Sequence, residues 1–198
     1  MTATLSREMT LEEYLQFDDG SEKNYELEDG VLREMPPESE LNKNIALWLL
    51  LYFAGLGIPP SQLSNKTEIT VPGLKASSRF PDLMVLSKVG AIALKGASRS
   101  TIFSDMPAPE IVVEVVSPGR ENSVRDYRHK RAQYQARGIQ EYWIVDPQAE
   151  KVTILTLNEW LYDEAIFTKD QAIASAFLEN LNVESYPTVA KILQMEND

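Results

Sequence analysis

A carboxylate stands in the middle of an apolar run. Glu114 interrupts Ile111-Val112-Val113-Glu114-Val115-Val116, which Pro109 and Ser117-Pro118-Gly119 bound on either side. The run has the profile of a strand buried on both faces. Burying a lone carboxylate is costly unless a cation or hydrogen bonds offset it. Asp82 is set similarly, after Pro81 and before Leu83-Met84-Val85-Leu86, at the start of another apolar strand. Two adjacent strands could aim both carboxylates at one spot. That is the chemistry of a Mg²⁺ site, where one or two carboxylates bind and water or phosphate oxygens complete the octahedron. A basic group beside it would orient or deprotonate an attacking water and stabilise charge developing on a phosphoryl group. Lys130 is the candidate, because Asp126, Lys130 and Tyr134 recur at i, i+4 and i+8 on one helix face. Plainer readings stand beside these. Glu114 could be one half of a salt bridge to an arginine, and the triplet could be an ordinary ion pair with an aromatic contact.

The 198 residues contain no cysteine and one histidine, His129. Thiol nucleophiles, disulfides, thiolate zinc sites and two-histidine zinc motifs are therefore excluded within the chain. His129 lies about 100° around the helix from Lys130 and reads as a surface residue. Asp, Glu and Lys are what remain for catalysis, together with a hard cation bound through oxygen.

Net charge is −11, which opposes a nucleic-acid partner, since phosphate neutralisation supplies most non-specific affinity. The average hides a pattern: residues 1–40 carry −9, residues 41–137 carry +6 and residues 138–198 carry −8. Six of the central basic residues fall between Arg120 and Arg137. They form either a solvated helix face or a surface that meets phosphates.

These residues need a scaffold. Thr10 and Glu13 form a capping box that opens a short helix ending near Phe17. Asn24–Glu28 and Val31–Met35 flank Asp29-Gly30, a hairpin signature. Ser39 to Ala54 reads as a long, largely buried helix stopped by Gly55 and Gly57. Strand formers follow at Thr67–Val71 and Asp82–Leu86, then a surface loop over 88–109 and the Glu114 strand. An amphipathic helix from Ser123 to Arg137 ends at Gly138. Glu141–Val145 and Lys151–Leu157 are paired strands, and the tail from Asp170 is irregular with a last helix beginning at Pro187. The expected product is one mixed α/β domain over 1–198 with a central sheet. No secretory or membrane segment is visible, so cytoplasmic is the default location. Asp146 before Pro147 reads as a structural turn former.

The order and spacing of these pieces resemble the Uma2 family of endonucleases, a branch of the PD-(D/E)XK superfamily. The resemblance rests on Leu11-Glu12-Glu13-Tyr14, Tyr25-Glu26-Leu27-Glu28-Asp29-Gly30, Pro81-Asp82, Glu114-Val115-Val116-Ser117-Pro118, Asp126-x-x-x-Lys130-x-x-x-Tyr134-x-x-x-Gly138-Ile139 and Glu141-Tyr142-Trp143-Ile144-Val145-Asp146-Pro147. It implies a restriction-endonuclease-like α/β core with flanking helices and an N-terminal helix plus hairpin. It further implies Asp82 and Glu114 as ligands of Mg²⁺, with Mn²⁺ as a substitute, and Glu26 as a further acidic contributor near the site. Where the superfamily places a lysine two residues after the second acid, this chain has Val116, so Lys130 is inferred to supply the amine. Asn42 stands where family members often carry a histidine.

Two functions from different classes follow. One is a metal-dependent endonuclease hydrolysing DNA through Asp82, Glu114, Lys130 and Glu26, with a homodimer expected from exposed strand edges and nuclease precedent. The other is a catalytically degenerate nuclease fold that binds nucleic acid or protein, favoured by Val116 and Asn42. Hydrolysis of another phosphate ester would use the same site as the first.

Overall fold

The computed structural model describes residues 4–21 and 23–194. In chain order the elements are β1 (Thr4–Glu8), α1 (Leu11–Leu15), β2 (Tyr25–Glu28), β3 (Val31–Glu34), α2 (Glu40–Gly55), β4 (Leu63–Ser64), β5 (Glu68–Val71), β6 (Ser77–Arg79), β7 (Leu83–Val85), α3 (Lys88–Ala93), β8 (Thr101–Ile102) and β9 (Ile111–Val115). A helical crossover follows, made of α4 (Arg120–Val124), a π turn over Arg125–Lys130 and α5 (Arg131–Arg137). Then come β10 (Glu141–Asp146), β11 (Lys151–Asn158), β12 (Leu161–Thr168), α6 (Ala176–Asn180) and α7 (Val189–Ile192).

Two mixed six-stranded sheets replace the single sheet expected. The first runs β1-β3-β2-β6-β5-β8 and the second β12-β11-β10-β9-β7-β4. The chain passes directly from one to the other through Arg79-Phe80-Pro81-Asp82, between β6 and β7. Proline at 81 cannot donate to a ladder, so the strand ends there and restarts in the second sheet.

β9 and β10 are parallel neighbours, and parallel strands require a crossover, here the helix over 120–137. Alternation then sorts the side chains. Val113 and Val115 face α2, packing with Ile45, Leu49, Phe53 and Trp143. Val112 and Val116 face the crossover, packing with Tyr134, Ile139 and Tyr142, and Glu114 points to that same side. β7 pairs β9 antiparallel with Leu83 opposite Val113 and Met84 opposite Val112. Continuing that register by one residue sets Asp82 across from Glu114.

The Asp29-Gly30 turn has positive φ at both residues (48° and 78°), and Gly138 closes the crossover at φ 80°, both as their residue types demand. The crossover begins at Arg120, three residues before the expected start, because Gly119 at φ 113° takes the N-cap position. The surface loop contains α3 and the two-residue β8. β12 was not expected at all: its turn, Glu159-Trp160, adopts positive φ without a glycine, and its outer residues are largely exposed, so neither turn chemistry nor apolar alternation marks it.

Candidate active site

The crossover delivers its buried face onto the Glu114 side of the second sheet. Asp126, Lys130 and Tyr134 are all buried, as the i, i+4, i+8 spacing requires. Lys130 Nζ lies 2.6 Å from Glu114 Oε2 and 3.4 Å from Asp126 Oδ1. The Tyr134 hydroxyl donates to Glu114 Oε1 at 2.6 Å. The cation beside Glu114 is therefore Lys130, not an arginine, and both Glu114 oxygens have a partner. Arg125 reaches Asp126 from the other side at 3.4 Å.

Asp82 is partly buried and accepts a hydrogen bond at Oδ2 from Val115 N–H, 2.6 Å. This side chain takes over the ladder where Pro81 interrupts it. Among the described residues Oδ1 has no hydrogen-bond partner. Burial and the neighbouring charge of Glu114 push the Asp82 carboxyl well above the ordinary carboxylate range, against the pull of Lys130. Burial also raises Glu114, although Lys130 opposes the shift. Burial disfavours the charge on Lys130, but Glu114 and Asp126 outweigh it and raise its pKa above that of a free lysine. Lys130 is consequently an ammonium throughout the neutral range. It can donate and attract; it has no lone pair with which to take a proton.

Glu26 belongs to the same network without facing it as a free acid. Its Oε2 accepts from Arg79 NH1 at 3.0 Å and its Oε1 from Phe80 N–H at 2.9 Å. Burial opposes its ionisation, yet the charges of Lys130 and Arg79 hold its pKa below the ordinary range. Arg79 is fully buried and was missed in the sequence, where Ser78-Arg79-Phe80 resembles any strand end. Its signal would have been the need of the buried acids of β2 for a cation. Asn42 is buried and donates through Nδ2 to Val115 C=O at 3.2 Å and Ser117 Oγ at 3.3 Å, so it ties α2 to the end of β9. His129 is exposed at the rim, 3.8 Å from Glu28. Asp146 accepts from Tyr127 OH and from the amides of Gln148 and Ala149, a turn former that also steadies the π turn.

The carboxylates Glu26, Glu28, Asp82, Glu114 and Asp126 face the cations Arg33, Arg79, Arg125 and Lys130. Among the described residues Asp82 is the one of these acids without a cationic contact. Oδ1 of Asp82 is open to a hard divalent cation and Glu114 lies across the ladder, where Lys130 or Tyr134 must release one of its oxygens for it to join as a ligand. Among the described residues no group of three or more His, Asp or Glu forms a ready-made cage; the pair suits Mg²⁺, which keeps several waters.

A cleft of about 690 Å³ lies between the β2–β3 hairpin and the crossover, lined by Glu26 and Lys130 and by Arg33, Arg120 and Arg125, with Asp82 and Glu114 outside its lining. Four of the six basic residues of the crossover are engaged by other groups of the protein. Besides Arg125 and Lys130, Arg131 pairs with Glu164 and Arg137 donates to the carbonyls of Phe103 and Met106. Among the described residues only Arg120 and Arg128 of the six are left without an ion pair or side-chain hydrogen bond. No helix among the described residues is long and apolar enough to cross a membrane.

Comparison with known proteins bears on the family and the fold. A family model described as "Uma2: Putative restriction endonuclease" matches residues 11–186. Among solved structures, a chain described as a putative nuclease belonging to DUF820, from Anabaena variabilis, is similar with a TM-score of 0.67 and 15% sequence identity, over 94% of this chain and 98% of that one. At that identity the likeness is one of fold. No protein among the curated ones matches. A match across residues 11–186, on a mixed α/β fold shared with a nuclease-like chain, makes this protein a member of the Uma2 family.

Proposed function

We propose that the protein is a divalent-metal-dependent endonuclease that hydrolyses DNA phosphodiester bonds. The observation that carries this reading is Asp82: a carboxylate with one open oxygen, its pKa raised by burial and by its neighbour Glu114, and fixed by Val115 N–H. Asp82 and Glu114 would hold the cation, with Mg²⁺ the best fit and Mn²⁺ able to substitute. Such a cation, when bound, supplies Lewis-acid polarisation of the phosphate and a more acidic water. Lys130 keeps its proton, so its part is to orient the water and offset charge on the phosphoryl oxygens. Asp126 and Tyr134 hold Lys130 and Glu114 in register. Glu26 fixes the segment that carries Asp82.

The strand-to-strand homodimer does not enter this proposal. Of the edge strands β1, β8, β12 and β4, β12 carries Asp163 and Glu164, and its self-pairing would bring like charges together.

Cleavage of supercoiled, single-stranded and branched DNA with Mg²⁺ or Mn²⁺, wild type against Asp82→Ala, tests the reading. Activity lost in the variant supports it. Equal activity in both indicates a contaminating nuclease. One observation favours the second reading, a degenerate module: both Glu114 oxygens are already engaged, at 2.6 Å each. Silence of the wild type together with DNA binding unchanged in Asp82→Ala would establish that reading instead.

A further inference from the structure

Arg79 is buried with none of its surface exposed, and its guanidinium ties its own segment to two other elements, β2 and α5, at once. NH1 donates to Glu26 Oε2 at 3.0 Å and NH2 to Glu28 Oε1 at 2.8 Å, so it grips β2 through two acids of the same strand face. Nε donates to Gln133 Oε1 at 2.9 Å, which reaches across to α5. Gln133 is three residues beyond Lys130, within one helical turn of it. Glu26 then closes a loop back onto Arg79's own segment by accepting Phe80 N–H at 2.9 Å. Two residues later comes Asp82.

The consequence is geometric. Asp82 is carried by the segment between the two sheets, and Lys130 by a crossover that packs on β5 of the first sheet as well as on the Glu114 face of the second. Nothing within the second sheet's ladder fixes Phe80-Pro81, because β7 begins only at Leu83 and Pro81 has no N–H to donate. The contacts that fix this segment to both neighbours are those of Arg79 and Glu26. A planar guanidinium with its donors in a rigid fork suits such a three-way junction, whereas a lysine could satisfy at most part of it.

We infer that Arg79, through Glu26, Glu28 and Gln133, is a positioning residue that sets Asp82 relative to Lys130 and Glu114. The inference rests on the proposed function for its catalytic meaning, and on hydrogen bonds alone for its structural one. It also gives Glu26 a role distinct from metal binding, since both its oxygens are occupied by the junction. Arg79 touches no reacting atom in this arrangement; it acts through Asp82.

The reporter is the Val115 amide, whose hydrogen is accepted by Asp82 itself. Val113, two residues back on the same edge of β9, donates within the regular β7 ladder and serves as the internal control. The experiment measures amide hydrogen exchange at both positions in the metal-free, full-length protein, followed by Mn²⁺ calorimetry and steady-state cleavage kinetics. Gln133→Leu and Glu28→Gln each remove one arm of the junction while leaving Arg79 in place, so they avoid the unfolding that Arg79→Ala risks; Arg79→Lys keeps the charge and loses the fork.

The expected result is exchange at Val115 at least tenfold faster in Gln133→Leu and Arg79→Lys, with Val113 following only global stability. Mn²⁺ binding then weakens by a similar factor, and kcat falls more than KM changes. Parallel changes at Val115 and Val113, with Mn²⁺ affinity and kcat intact, would reduce the junction to a structural cross-link and overturn the inference. Failure of the nuclease reading looks different. If Val115 responds as expected but the wild type neither binds Mn²⁺ nor cleaves DNA, the positioning of Asp82 stands and the activity does not.

Discussion

Asp82 accepts its hydrogen bond from Val115, the residue that follows Glu114, at 2.6 Å. Asp82 is thus held by its own side chain to the strand that carries Glu114. Removing the Asp82 charge without removing its acceptor should relax the protein. Folded Asp82 has a raised pKa, so between the ordinary aspartate value and the raised one the folded state binds more protons. Stability falls as pH rises through that window. Asp82→Asn should therefore stabilise the metal-free protein at pH 7 by about 1 kcal/mol, a Tm gain of roughly 2–4 °C, and the gain should shrink toward pH 4. Calorimetric melting across that range checks it, and no gain at neutral pH would contradict the electrostatic account of the site.

Lys130 neutralises two buried acids. Lys130→Met leaves Glu114 and Asp126 without that partner, and breaking a buried pair from one side costs about 3–5 kcal/mol. Urea unfolding should show this loss, with a partial recovery in the double variant Lys130→Met/Glu114→Gln. A single-variant loss below about 1 kcal/mol would mean that water already reaches the pair.

Tyr134→Phe removes one donor from Glu114. A hydrogen bond to a charged group contributes about 1.5–3 kcal/mol, and that is the destabilisation expected from denaturant titration. The freed Oε1 should also make Glu114 a better ligand, so Mn²⁺ affinity by calorimetry should hold or rise rather than fall.

Glu26 has the opposite sign to Asp82. Its folded pKa is depressed by Lys130 and Arg79, so its stabilising contribution is present above the ordinary glutamate range and is lost as pH falls through the depressed value. The difference in urea midpoint between wild type and Glu26→Gln should be largest near pH 7 and should close under acid conditions. A difference independent of pH would locate the effect in packing.

DNA binding should depend on salt only shallowly. Because most basic residues of the crossover are consumed internally, few phosphates can be neutralised near the cleft, and a slope of about −2 in log K against log salt is expected for duplex. Arg120→Glu should weaken binding and flatten the slope further. A slope near −6 would instead mean that the crossover arginines leave their internal partners.

The parts of this architecture that could be read from the chain are those where residue type and local geometry agree. Glu114 in its β-branched run, the Asp29-Gly30 turn, the Gly138 stop and the Asp126-Lys130-Tyr134 face each announce themselves within about ten residues. What escaped depends on partners distant in sequence. Arg79 meets Glu26, Glu28 and Gln133 across separations of about fifty residues, and no local pattern encodes such a meeting. β12 escaped for another reason: an edge strand with a polar outer side and a glycine-free turn carries little periodicity. The charge pattern alone did not distinguish Lys130, whose ammonium is buried against Glu114, from the basic residues of the same helix that reach solvent.

The π turn over Arg125–Lys130 has a consequence for how this chain tolerates insertions and deletions. A π turn accommodates one residue more than an α-helix needs for the same path, and here the surplus lies between fixed points, Gly119 at one end and Gly138 at the other. Losing that surplus residue would return the segment to an α-helix over the same path, with the flanks left in place and the step between Asp126 and Lys130 shortened from i,i+4 to i,i+3. The ammonium would then approach Glu114 from a different step of the helix. The length of this segment is therefore as much a part of the site as the identity of its side chains.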